Sequence, residues 1–177
     1  MLATKDISKR LSIPEKLYGG ENELKILRQA FERVSQGYCE MLLITGYAGV
    51  GKSSLVEEIR RPVSQKHSYY ICGKFDQLQR DKPYLALVEA FRDMVEQILT
   101  ESSQRFAHWR TELQNALGQS AGVICEVIPE VERIIGPQAP VPELPPEENR
   151  NRFQYSFSKF ISTLARAERP LVLFLDD

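Results

Sequence analysis

The sequence contains no apolar run approaching the roughly 20 residues that a membrane-spanning helix needs. Its opening stretch, MLATKDISKRLSIPEK, holds no apolar signal core, which argues against secretion by that route and for a cytoplasmic setting without a membrane partner. Charge of one sign is lacking too. The 23 Lys and Arg nearly balance 24 Asp and Glu, so no global field draws the chain to nucleic acid or an anionic surface. Cysteine is scarce: Cys39, Cys72 and Cys125 lie far apart with no CxxC spacing, as expected of reduced, structural thiols. The two histidines, His67 and His108, are isolated and have no ligand partners at metal spacing. No internal repeat is present.

What remains is a chain of 177 residues, 42% hydrophobic and 27% charged, which is the size and balance of one globular domain. Residues 1–17 are polar and read as a linker or arm. After Gly19-Gly20, Leu24, Leu27, Phe31 and Val34 recur at helical steps, and Gly37 is placed to stop that helix. Met41 to Thr45 (MLLIT) is a short continuous apolar run, as expected of a strand buried on both faces. A glycine-rich stretch follows, then a helical pattern over Lys52 to Ile59 that Pro62 is expected to end or kink. Ser68 to Cys72 (SYYIC) is aromatic and β-branched, hence a second strand. From Pro83, Tyr84, Leu87, Val88, Phe91, Met94, Val95 and Ile98 form one apolar helical stripe. Phe106, Trp109, Leu113, Ala116 and Leu117 form another. Residues 136–146 carry five prolines and read as an extended connector. A third amphipathic helix covers Glu147 to Ala165, and Leu171 to Leu175 (LVLFL) is an apolar strand running into Asp176-Asp177.

One motif carries chemistry by itself. Gly46-Tyr47-Ala48-Gly49-Val50-Gly51-Lys52-Ser53 matches the phosphate-binding P-loop G-x-x-x-x-G-K-[ST] at every fixed position. A chance match in a chain this long is on the order of half a percent. Side chains at the glycine positions would stop the backbone from closing on a phosphate. The loop aims successive N–H groups at the anion, and the following helix, opening with Lys52, Ser53 and Ser54, adds its positive end. Lys52 is expected to reach the outer phosphates of ATP, and Ser53 to place its hydroxyl on Mg2+. Such a site also needs a carboxylate at the end of a nearby strand. Asp176 is the magnesium candidate, and Asp177 is the candidate for deprotonating the attacking water. Guanine specificity would want Asn-Lys-x-Asp, and Gly73-Lys74-Phe75-Asp76 has the wrong first residue.

With both elements in view, the chain resembles the AAA-like STAND ATPase domain of large bacterial hybrid serine/threonine kinase–histidine kinase signalling proteins. The resemblance rests on Leu17-Tyr18-Gly19, the P-loop, Gly73-Lys74-Phe75-Asp76, Asn151-Arg152-Phe153 and Leu171 to Asp177. It implies an α/β fold, a P-loop NTPase with a parallel sheet flanked by helices, here truncated after the Walker B strand, and an ATPase domain beginning at residue 18. It further implies a sensor strand lying between the P-loop strand and the one ending in Asp176, and an adenine pocket near Tyr18. Where the family usually has Arg, this chain has Gly20.

The function expected on these grounds is Mg·ATP binding as a nucleotide-dependent switch in signal transduction, with kinase or sensor domains as partners and hydrolysis in a complete domain. Two alternatives stay open. One is a P-loop kinase acting on a small acceptor, although the helices offer only Arg150, Arg152, Arg166 and Arg169 for a lid. The other is a non-catalytic nucleotide-binding or interaction module.

Overall fold

The computed structural model describes residues 20–65, 68–75 and 84–176. At its centre two strands, β1 (Tyr69–Lys74) and β2 (Leu171–Asp176), pair in parallel. Among the described residues seven helices accompany them: α1 (Glu21–Val34), α2 (Lys52–Gln65), α3 (Leu85–Leu99), α4 (Ser103–Leu117), α5 (Ala121–Val127), α6 (Glu132–Ile135) and α7 (Pro146–Leu164). Among the described residues, no helix is long and apolar enough to cross a membrane.

Each face of the sheet has its own cover. Tyr69 and Ile71 point into the main core, where Phe91, Met94 and Ile98 of α3 meet Trp109 and Leu113 of α4 and Phe160 of α7. The next face carries Tyr70 and Val172, which pack on Phe31 of α1 and on Ile59 and Val63 of α2. The alternation follows from the two-residue period of a strand. α3 comes unusually close to β1. A Cβ built on Gly73 would stand 2.1 Å from the Ala86 carbonyl oxygen, so only glycine lets the first turn of α3 lie there. Tyr84 precedes that turn with a positive φ of 65°, and its ring packs against Phe153, with centroids 5.9 Å apart.

The starts of the strands are tied to α4. The Tyr69 hydroxyl donates to Glu101 at 2.9 Å and accepts the Trp109 indole N–H at 3.1 Å. Burial, helped by Glu101, pushes that phenol up to about 12. The Arg169 guanidinium lies 4.0 Å over the Trp109 ring and pairs with Glu112, which also takes Arg166 at 3.0 Å. Burial alone would raise the Glu112 pKa. The hydrogen bond from Arg169 and the charges of Arg169, Arg166 and His108 outweigh it and hold the carboxyl below its ordinary value.

Several expectations need correction. Residues 41–45 form no strand, and Met41 and Leu43 are 92% and 83% exposed. The physical reason is pairing: among the described residues no strand lies beside them, and an apolar cleft of about 160 Å³ separates Leu42 and Ile44 from Leu171 to Phe174. α2 continues three residues past Pro62 to Gln65. Proline there deletes one hydrogen bond in the last turn, where a helix tolerates the loss more readily than in its middle. His67 lies outside the described residues, and His108 sits 3.5 Å from Glu112 in an ion-pair cluster. The three thiols are unpaired, with Cys125 buried, Cys72 half-buried and Cys39 exposed rather than structural. Residues 136–145 are without regular structure, yet held: Arg152 donates to the Pro142 carbonyl at 2.8 Å, and Val141 lies over Gly122.

Two measurements check this packing. Gly73→Ala should lose about 2–4 kcal/mol in denaturant unfolding, because its new methyl meets backbone that cannot step aside; a wild-type midpoint would refute the close approach. Glu112 has a folded-state pKa below 4.5, so its contribution is full above that value and is lost as pH falls through the folded pKa. Glu112→Gln should therefore cost about 1–3 kcal/mol at pH 7 and flatten the acid limb of the stability curve below about pH 4.5.

Candidate nucleotide-binding site

The phosphate loop connects residues 41–45 to α2. Gly49 and Gly51 adopt positive φ of 79° and 95°, a backbone region that glycine enters without cost. These turns deliver the chain into α2, whose first turn is Lys52-Ser53-Ser54 and contains no acidic residue. The leading N–H groups and the positive helix end therefore meet no internal carboxylate from that turn. Tyr47 and Val50 are 92% and 66% exposed, and Ala48 and Gly49 are exposed as well. The loop is thus open to solvent along its outer side.

Lys52 crosses back over the loop. Its ammonium donates to the carbonyls of Gly46 at 2.9 Å and Tyr47 at 3.1 Å, which fixes one positive charge above the turn. The Ser53 hydroxyl donates to Asp176 Oδ2 at 3.4 Å, joining residues 123 positions apart in sequence. Two oxygen donors thereby converge at the C-terminal edge of a parallel sheet, the edge at which α/β folds bind ligands. Hydroxyl and carboxylate oxygens are the donors a hard divalent cation such as Mg2+ takes, usually with phosphate oxygens and water beside them. Among the described residues, no cluster of three or more His, Cys, Asp or Glu could hold a metal, so a cation at this edge would rest on Ser53, Asp176 and a bound phosphate.

Of the residues singled out in the sequence, Gly46 to Ser54 and Asp176 come together. Tyr18 and Asp177 lie outside the described residues. The Gly73-Lys74-Phe75-Asp76 run gains a location for its first three members: Lys74 ends β1 directly beside Asp176 in the parallel register, a neighbour that no local pattern in the sequence announces. Three of the four candidate lid arginines are engaged away from the loop. Arg166 and Arg169 hold Glu112, and Arg152 bonds Pro142 and Asn149.

Comparison with known proteins gives the chain a family. The hybrid signal transduction histidine kinase G of Dictyostelium discoideum is 38% identical over 176 residues, covering 99% of this chain and 5% of that protein. The histidine protein kinase 1 of Candida albicans is 24% identical over 127 residues, covering 71% of this chain and 5% of that protein. The chain thus spans about a twentieth of the length of these relatives. No solved structure gives a significant match. The family model for the AAA ATPase domain matches residues 16–177, and the chain belongs to that family of nucleotide-binding ATPase domains.

Proposed function

We propose that the chain binds ATP with Mg2+ at Gly46 to Ser54 and acts as a nucleotide-dependent switch within a signalling protein. The observation that carries this reading is the approach of the Ser53 hydroxyl to the Asp176 carboxylate beside the open phosphate loop. The backbone N–H groups from Ala48 to Ser53 hold the phosphates, and Lys52, already anchored on the Gly46 and Tyr47 carbonyls, supplies a fixed positive charge. Ser53 and Asp176 hold the metal, which neutralises phosphate charge when bound. Asp177 deprotonates the attacking water where hydrolysis occurs, and Tyr18 belongs to the adenine pocket. The signalling role draws on the kinship to two large histidine kinases; kinase or sensor domains of the same or a neighbouring polypeptide are the partners that such a switch addresses in the cytoplasm. A small-acceptor kinase is disfavoured by the arginines, since three of the four candidates are engaged elsewhere.

A titration with a fluorescent adenine nucleotide, with and without magnesium, tests the site. Lys52→Ala should weaken binding about thirtyfold to a thousandfold, the value of a lost charge–phosphate contact of about 2–4 kcal/mol. Asp176→Asn should remove most of the magnesium-dependent part and leave the magnesium-free part nearly intact. Wild-type affinity in Lys52→Ala would sink the assignment.

A further inference from the structure

Lys74 is the last residue of β1 and the register partner of Asp176, the last residue of β2. The ladder continues beyond this pair, since the Phe75 amide donates to the Asp176 carbonyl at 2.9 Å. The two side chains are therefore held at a fixed register and not at a frayed end. Their face follows from their neighbours. Gly73 and Leu175 meet on the α3 side, where a Cβ on Gly73 would stand 3.1 Å from the Leu175 side chain. Side chains alternate along a strand, so Lys74 and Asp176 share the opposite face. That is the face packed on α1 and α2, and the one from which Ser53 reaches Asp176.

Adjacent strands lie about 4.8 Å apart, and the four-carbon stem of lysine spans that gap and turns freely. Lys74 is exposed, and among the described residues no carboxylate is paired with its ammonium. The Cys72 thiol, on the same face, feels both charges. Burial pushes its pKa up, Lys74 draws it down, and Asp176 raises it again.

We infer that Lys74 is a positioning residue for the metal carboxylate: it competes with Mg2+ for Asp176 and sets the magnesium concentration at which the site fills. The inference rests on the Mg·ATP reading. Before metal arrives, the ammonium is unpaired among the described residues and within reach of Asp176 from the β1 side, where its charge offsets part of that of the carboxylate. When a divalent cation enters, Lys74 must give up that carboxylate and then repels the newcomer. Both effects raise the magnesium needed, and both are moderated by solvent because the group is exposed. Lys52 has a different task. Its ammonium is occupied by two loop carbonyls and is aimed at phosphate.

The test is a magnesium titration of the full chain with a fluorescent adenine nucleotide held constant. Lys74→Met, which keeps the stem and removes the charge, should lower the magnesium midpoint about three- to tenfold. Lys74→Arg should stay near wild type, and the Lys74→Met shift should shrink as salt is raised. Nucleotide affinity without magnesium should be equal in all three. An unchanged or higher midpoint in Lys74→Met, with its melting transition intact, overturns the inference. So does a drop in its magnesium-free affinity, because Lys74 would then be a phosphate ligand. If Lys74→Met does not fold, Lys74→Gln removes the same charge and answers the same question. Absence of magnesium-dependent binding in the wild-type chain would instead refute the Mg·ATP reading, and this inference with it.

Discussion

The parallel ladder between β1 and β2 holds the site together, because it carries Asp176 to a serine 123 positions earlier in the chain. Its register runs from the Tyr69 amide on the Pro170 carbonyl to the Phe75 amide on the Asp176 carbonyl. A slip of one residue would turn every side chain of β2 to the other face. Asp176 would then point towards α3, and Ser53 would lose its partner. The burial of Tyr69 and Ile71 in the helical core resists such a slip. So does Gly73, which alone among the strand residues fits beneath Ala86.

The two ends of the ladder differ in stiffness. At the start, Tyr69, Trp109, Arg169 and Glu112 form a connected set of hydrogen bonds, ring contact and ion pairs, most of it shielded from water. Networks of that kind gain strength from the low local dielectric and fix the elements that they join. At the C-terminal edge the loop is exposed, and the Lys52 bonds to Gly46 and Tyr47 are its main internal ties. Segments with few buried contacts open at low free-energy cost. A rigid base beneath an open edge suits a site in which a ligand supplies the missing contacts.

Much of this arrangement was legible in the sequence, for identifiable reasons. α3, α4 and α7 show their apolar stripes plainly, and SYYIC and LVLFL are strands because β-branched and aromatic residues suit a covered sheet. The phosphate loop was legible because its fixed positions are local. MLLIT has the composition of a strand, but a strand exists only beside a partner, and the cleft lies where that partner would be. The apolar run over residues 121–135 folds into α5 and α6 with one 3-10 turn, Pro129–Val131, between them, pieces too short to display a helical period. Lys74 escaped for a third reason. Its neighbour Asp176 is 102 positions away and is set by register, which no window of sequence contains. Tyr18 and Asp177 fall outside the described residues, so the adenine pocket rests on resemblance and the hydrolytic base on its place next to Asp176 in the sequence.

The charges around the loop divide by how they are tethered. Lys52 is held by two carbonyls and can move little, so its field is present before any ligand arrives and costs no reorganisation on binding. The start of α2 is fixed in the same sense, with its positive end unopposed by acid in the first turn. Asp176 is fixed through its strand and engaged on one oxygen by Ser53. Lys74 is fixed only at its backbone, so its ammonium responds to whatever occupies the carboxylate beside it. In the proposed site, fixed charges hold the phosphate, and the mobile charge beside Asp176 sets the ionic conditions at which the holding is complete; that division rests on the ladder that sets Lys74 and Asp176 side by side.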